Sequence, residues 1–117
     1  MTDDEFPNLE TNEEIIREDS AKHVMHSGNV KQGGRLVLTN QRLLFGRESS
    51  FLFFFFKSTD TTVDVPLDQI RKVGTKGVIR KQLQVSHEDN GNYEEDFFQV
   101  GDVDVWVAKL KELSDAE

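Results

Sequence analysis

Cysteine is absent from this chain of 117 residues. A protein without thiols can form neither a disulfide framework nor a thiolate metal site, and it fits a reducing compartment. Long apolar runs are absent too: the longest spans residues 51–56, far short of the ~20 residues that a membrane-spanning helix needs. The first residues are acidic and lack the apolar segment of a secretory signal. We therefore expect a cytoplasmic protein, either free in solution or held peripherally at the inner face of a membrane.

Basic residues are in short supply, with 14 lysines and arginines against 22 aspartates and glutamates, which gives a formal net charge of −8. An acidic chain repels phosphate backbones on average, so we do not expect a nucleic-acid partner. The length suffices for one ordinary domain but not for two. Because residues 1–14 are polar and acidic, we predict that they form a loosely ordered N-terminal tail. We assign residues 15–117 to a single folded domain.

Catalytic motifs are missing as well. The sequence contains no Gly-x-Ser-x-Gly elbow, no phosphate-binding loop and no dinucleotide fingerprint, and its carboxylates occur in solvated runs. His23 and His26 are three residues apart, which points them to opposite faces of a strand, and His87 stands alone near acidic residues. The sequence therefore predicts no catalytic residue, no metal site and no cofactor.

Short apolar and β-branched segments, separated by turn residues, make up most of the chain. We predict strands at residues 20–26, 35–39, 42–47, 51–56, 61–65, 72–73, 78–80, 83–86 and 96–100. Gly74 and Gly77 indicate a hairpin between residues 72–73 and 78–80. Pro66 ends a strand because proline cannot donate a ladder hydrogen bond, and residues 67–70 follow as a helical turn or a bent connection.

The period of the apolar residues changes near the C-terminal end. Val103, Trp106, Val107, Leu110 and Leu113 form one apolar stripe at helical spacing, and the preceding Asp102 is a good N-cap residue. Many short strands followed by one amphipathic helix predict a mostly β sandwich or barrel whose open end is plugged by the helix. The predicted core comprises Leu36, Leu38, Leu43, Phe45, Val65, Ile70, Leu83, Val85, Phe98, Trp106, Val107 and Leu110.

The first predicted hairpin carries a family resemblance. Residues 34–45 read Gly-Arg-Leu-Val-Leu-Thr-Asn-Gln-Arg-Leu-Leu-Phe, which resembles the hallmark hairpin of GRAM domains, members of the pleckstrin-homology-like superfold. Residues 65–70, Val-Pro-Leu-Asp-Gln-Ile, resemble a second segment of that family, and the helix with Trp106 resembles its capping helix. The resemblance covers residues 13–113.

The resemblance implies a bent, seven-stranded barrel, made of two packed antiparallel sheets and capped by one C-terminal helix. It also implies a non-catalytic binding role toward membrane lipids or proteins. Lipid-binding members of the family usually carry basic residues near the first hairpin. In this sequence that region offers only Lys22, Lys31 and Arg35.

The segment 51–56, Phe-Leu-Phe-Phe-Phe-Phe, is the most apolar part of the chain. If it is a strand, one alternate set of side chains fills the core, and Leu52, Phe54 and Phe56 point outward. Exposed apolar side chains of this size mark an interface unless other parts of the chain cover them. We predict that these three residues contact a partner, a second copy of the chain or a membrane, with cover by the chain itself as the structural alternative.

A basic segment stands out against the acidic background. Five cations lie where no acid occurs between Asp68 and Glu88, namely Arg71, Lys72, Lys76, Arg80 and Lys81. They are candidate ligands for anionic headgroups, and their alternative role is that of an ordinary solvated hairpin. The sequence thus supports two functions: a module that binds anionic membrane surfaces, or a protein-interaction or homodimerisation module that uses residues 51–56.

Overall fold

The computed structural model of the protein describes residues 10–25, 30–47 and 61–117. These residues form seven strands and one α-helix, in the order β1 Ile15–Met25, β2 Val30–Thr39, β3 Arg42–Arg47, β4 Thr61–Pro66, β5 Ile70–Lys76, β6 Gln82–Asp89, β7 Asn92–Val100 and α1 Val103–Leu113. The mostly β architecture with one C-terminal helix confirms the predicted fold class.

The strands form one antiparallel sheet in the order β4-β3-β2-β1-β7-β6-β5. The two edge strands, β4 and β5, are consecutive in sequence and are joined by a single 3-10 turn at Leu67–Gln69. This turn is the bent connection expected after Pro66. Because it links the two ends of the sheet, the sheet wraps around one interior.

The interior is apolar and draws on every strand. Eleven of the twelve predicted core residues are buried, whereas Val107 is half-buried and packs against their edge. Trp106 is fully buried, and its Nε1–H donates to Asp19 Oδ2 at 2.9 Å. The helix therefore closes one end of the sheet, as predicted. No helix in the described part of the chain is long and apolar enough to cross a membrane.

Asp102 is the N-cap residue of α1, but its side chain does not cap the helix. The residue has a left-handed backbone with φ of 53°, and its carbonyl accepts hydrogen bonds from the N–H groups of Val105 and Trp106. Its carboxylate instead accepts a hydrogen bond from Arg17 Nη2 at 3.3 Å. The carboxylate thus ties the start of the helix to β1.

Two predicted strands are not among the strands of the described residues. Residues 78–80, predicted as a strand, lie in the loop between β5 and β6, because Gly77 adopts a φ of +103° and ends the extended backbone. The strand predicted at residues 51–56 lies outside the described residues, as do its proposed contact residues Leu52, Phe54 and Phe56.

The β2–β3 hairpin explains the Leu-Thr-Asn-Gln-Arg sequence. A Cβ atom at Gly34 would collide with the carbonyl oxygen of Gly46, so only glycine fits there. At the turn, Thr39 Oγ1 accepts hydrogen bonds from the N–H groups of Gln41 and Arg42, each at 3.0 Å. A threonine side chain therefore stabilises the reversal.

The same turn holds residues 10–14 through a buried ion pair. Glu13 accepts from Arg42 Nε at 2.8 Å and Nη2 at 3.0 Å, from Thr39 Oγ1 at 2.6 Å and from the Glu10 N–H at 2.8 Å. Burial opposes ionisation of Glu13, but hydrogen bonds from Arg42 and Thr39 outweigh it and lower the pKa of the carboxyl. We call this group, Glu13 with Thr39 and Arg42, the hairpin corner.

Candidate functional site

The loop between β5 and β6, residues 77–81, carries the two most exposed large hydrophobic residues in the described part of the chain. Val78 and Ile79 each expose 92% of their surface, more than any other large hydrophobic residue described. Gly77, with φ of +103°, turns the backbone out of β5 directly before them. We call these two residues the apolar tip. The loop also brings basic residues to both sides of the tip, Lys76 before it and Arg80 and Lys81 after it.

An open depression of about 420 Å³ lies beside this loop. Arg80 and Lys81 line one side, and Lys22 of β1 lines another. Lys22 reaches this position because β1 pairs with β7, where it lies opposite Gln99, itself a lining residue. No acidic residue described here lines the depression, although Lys81 Nζ lies 3.9 Å from Asp104. We call the depression with its three cations the basic depression.

The five predicted headgroup ligands do not form one site. Arg80 and Lys81 line the basic depression, and the Lys76 ammonium lies over the ring of Phe97, 4.7 Å from its centroid. Arg71, by contrast, donates to Glu88 Oε1 at 3.0 Å and to the Asp68 carbonyl oxygen at 2.7 Å.

Lys72 is exposed on β5, and it does not line the depression.

Two features of the site were missed by the sequence reasoning. Lys22 is 58 or more positions from its partners in the chain, and only the β1–β7 pairing brings it to them. The apolar tip did leave a signal, since an aliphatic pair follows a glycine and is bordered by cations.

A second polar group lies on the inner face of the sheet. Asp96 of β7 is bonded to His23 Nε2 on β1 at 2.9 Å and to His87 Nε2 on β6 at 2.7 Å. Because β7 lies between β1 and β6, its carboxylate reaches one histidine on each neighbouring strand. The sequence suggested that His87 stands alone. In the structure it is buried and bonded to Asp96.

The role of this group is structural, because its hydrogen bonds link β7 to β1 and β6. Burial opposes the charge on Asp96, yet hydrogen bonds from His23 and His87 lower the pKa of its carboxyl. An ionised carboxylate only accepts hydrogen bonds, so each ring donates its Nε2–H. His23 also stacks on Phe98, with ring centroids 4.9 Å apart. No cluster of described residues has the makeup to hold a metal ion.

Comparison with known proteins agrees with this architecture. The profile of the bacterial PH domain family matches residues 9–112. No curated protein matches the chain.

Two solved structures have a similar fold. One is the Vps36 N-terminal PH domain, with 17% identity, a TM-score of 0.65, and coverage of 90% of this chain and 81% of that one. The other holds the DH/PH domains of p115-RhoGEF, with 13% identity, a TM-score of 0.65, and coverage of 94% of this chain and 33% of that one. At these identities the likeness concerns the fold alone.

Proposed function

The chain belongs to the bacterial PH domain family, and we propose that it is a non-enzymatic module that binds anionic membrane surfaces through the apolar tip and the basic depression. Domains of this kind are generally interaction modules for lipids or proteins. The GRAM-like hairpin at residues 34–45 leads us to propose a GRAM-type member within that superfold. We further propose that the protein acts in the cytoplasm, at the inner face of a membrane.

The exposure of the apolar tip is the observation that carries the proposal. Val78 and Ile79 are 92% exposed, and in water each leaves a branched aliphatic side chain unburied. Full burial of one such side chain stabilises by about 1.5–3 kcal/mol. Aliphatic side chains that project from a loop are suited to the boundary between headgroups and acyl chains.

The charges around the tip match an anionic surface. Lys76, Arg80 and Lys81 border the tip, and Lys22 joins the last two in the basic depression. Each basic residue near an anionic membrane contributes roughly 1 kcal/mol, and this attraction weakens as salt screens it. Net repulsion from a chain of charge −8 then favours the orientation that turns this side of the domain toward the membrane.

The test is sedimentation of the purified protein with vesicles of phosphatidylcholine alone and of phosphatidylcholine with phosphatidylserine. We expect binding to the anionic vesicles only, at low salt, with loss at high salt. Equal binding to both vesicle types would contradict the electrostatic part of the proposal. Absence of binding under every condition would reject the membrane function.

The second candidate function is that of a protein-interaction or homodimerisation module that uses residues 51–56. These residues lie outside the described structure, so the support for this function is the phenylalanine-rich sequence and the family's general role. Sedimentation equilibrium of the wild type and of Phe54→Ser tests it. A dimer that Phe54→Ser converts to a monomer would support this function, and a wild-type monomer would reject homodimerisation.

A further inference from the structure

The residues after α1 are turned back onto the sheet by specific contacts. The Ser114 N–H and Oγ–H both donate to the Leu110 carbonyl oxygen, at 2.9 and 2.7 Å. Ser114 Oγ also accepts from the Ala116 N–H at 3.2 Å, and Ala116 packs half-buried against the core. Ser114 itself is extended, with φ of −115° and ψ of 175°. The helix is therefore followed by a short segment whose last residue, Glu117, reaches β5.

The main chain of Glu117 pairs with the outer edge of β5. Its N–H donates to the Arg71 carbonyl oxygen at 3.2 Å, and its carbonyl oxygen accepts from the Val73 N–H at 2.9 Å. These two bonds flank Lys72, which is the hydrogen-bond pattern of a parallel strand pair. Glu117 thus occupies one position of an added strand beside β5.

The edge of β5 continues past this contact. Backbone groups two residues apart on a strand point the same way, so the Thr75 N–H and carbonyl face outward as the Val73 N–H does. No backbone hydrogen bond to the outward side of Thr75 exists among residues 10–25, 30–47 and 61–117. Among the described residues, the outward backbone groups of Thr75 therefore have no backbone partner.

The charges of the two partners are complementary. The exposed side chains of β5 include Arg71, Lys72 and Lys76, whereas the segment that lies beside the strand carries Asp115 and Glu117. Arg71 is already paired with Glu88, so Lys72 and Lys76 are the cations that favour an acidic partner. An unpaired strand edge also attracts extended chains through its backbone groups alone.

We propose that the outer edge of β5 is a docking site for an acidic, extended peptide of a partner protein. Such a peptide adds a strand to the sheet, with main-chain hydrogen bonds to Val73 and Thr75 and acidic side chains near Lys72 and Lys76. Glu117 occupies the first position of this site and competes with the peptide. Lys72, Val73 and Thr75 do not line the basic depression, so variants at these positions separate the proposal from membrane binding, whereas Lys76 belongs to both surfaces.

The test uses the full chain and a fluorescent peptide that repeats Ser-Asp-Ala-Glu three times. We expect saturable binding in fluorescence anisotropy, with amide chemical-shift changes in a labelled sample centred on Val73 and Thr75. The same peptide with alternate backbone nitrogens methylated should not bind, because it cannot pair with a strand. Binding of the methylated peptide with equal affinity, or shifts confined to Lys22, Arg80 and Lys81, would overturn the proposal.

Two variants separate competition from charge. Glu117→Pro removes the N–H that bonds to Arg71, so the peptide should bind several-fold more tightly than to the wild type. Lys72→Glu should weaken binding several-fold, whereas the matched control Lys111→Glu, on the exposed side of α1, should not. A circular dichroism spectrum shows whether the Glu117→Pro variant is folded. If neither the wild type nor the folded variant binds the peptide, the docking site is rejected.

Discussion

Charged side chains are buried and paired at the hairpin corner, whereas they are exposed in the β5–β6 loop. At the corner, the two oxygens of Glu13 accept four hydrogen bonds, and the side chain is fully buried. In the loop, Arg80 forms no ion pair within the described residues, and two aliphatic side chains beside it are almost fully exposed. Four hydrogen bonds are about the capacity of a carboxylate, so the corner has nothing left to bind.

The difference separates structural charge from charge available for recognition. A buried pair such as Glu13 and Arg42 fixes geometry, and loss of one partner is costly because the other remains buried. Exposed cations beside exposed aliphatic side chains contribute little to folding and keep their full interaction with an anionic surface. Changes at the corner should therefore alter stability without binding, and changes in the loop should do the reverse.

The largest effect should come from breaking the corner. Glu13→Ala removes four hydrogen bonds and leaves the Arg42 side chain, which is 14% exposed, without its bidentate partner and with Asp64 as its remaining carboxylate. We expect a loss of about 3 kcal/mol in the free energy of unfolding, measured by urea denaturation. Binding of the folded variant to anionic vesicles should not change.

The neighbouring residue provides the matched control for this variant. Glu14 is exposed, so Glu14→Ala should change stability by less than about 0.5 kcal/mol. A Glu13→Ala variant as stable as Glu14→Ala would show that the corner is not a structural lock. A loss of vesicle binding in a folded Glu13→Ala variant would remove the division between the two regions.

Much of the fold was predictable because local patterns and burial agree. The helix stripe from Val103 to Leu113 and the bounds of β3 were right, and so was the apolar interior around Leu36 and Phe98. Residues 78–80 failed because an apolar, β-branched pair has the composition of a strand wherever it lies. Here Gly77 directs that pair into solvent instead.

The candidate sites were harder to predict from the sequence than the fold was, because they depend on strand pairing. Asp96 and His23 are 73 positions apart, and Lys22 meets Arg80 only through the β1–β7 pairing. Conversely, Arg71 and Lys81 are near in sequence but belong to different environments, since one pairs with Glu88 and the other lines the depression. Sequence proximity therefore identified a basic segment but not which of its cations share a site.

The second effect in size should come from the loop. Val78→Asp combined with Ile79→Asp replaces two aliphatic side chains by charges that an anionic membrane repels. We expect more than a tenfold loss of affinity for phosphatidylserine vesicles, because about 1.5–3 kcal/mol per buried aliphatic side chain is removed. The unfolding free energy should change little, since both side chains are 92% exposed.

An exposed valine elsewhere serves as the control for the tip. Val105 on α1 is 46% exposed, and Val105→Asp should leave vesicle affinity unchanged. If both variants lose affinity equally, added negative charge rather than the apolar tip accounts for the effect. If the tip variant binds as the wild type does, insertion of the loop is wrong.

Asp96 and its two histidine partners make the stability of the fold depend on pH. The folded-state pKa of Asp96 is lowered, so its stabilising effect is complete above the unfolded pKa and is lost as pH falls through the folded value. Glu13 acts in the same direction. We therefore expect the urea concentration at the midpoint of unfolding of the wild type to decrease as the pH is lowered below about 5.

Asp96→Asn isolates the contribution of this carboxylate. An amide has one acceptor oxygen for two histidine donors, so at neutral pH we expect a loss of about 1.5 kcal/mol. The variant should also lose less stability than the wild type as pH falls. Parallel pH profiles for the two proteins would mean that Asp96 has no lowered pKa in the folded state.

The smallest effects should come from single charges at the basic depression. Lys22→Glu, Arg80→Glu and Lys81→Glu should each weaken binding to anionic vesicles about fivefold at low salt, as expected for ~1 kcal/mol per basic residue. Lys111→Glu, an exposed change of the same charge on α1, should have less effect because that lysine lies outside the depression. High salt should reduce the difference between these variants and the wild type, because screening acts on the charges and not on the apolar tip. If all four substitutions weaken binding equally, only net charge matters, and the depression does not orient the domain on the membrane.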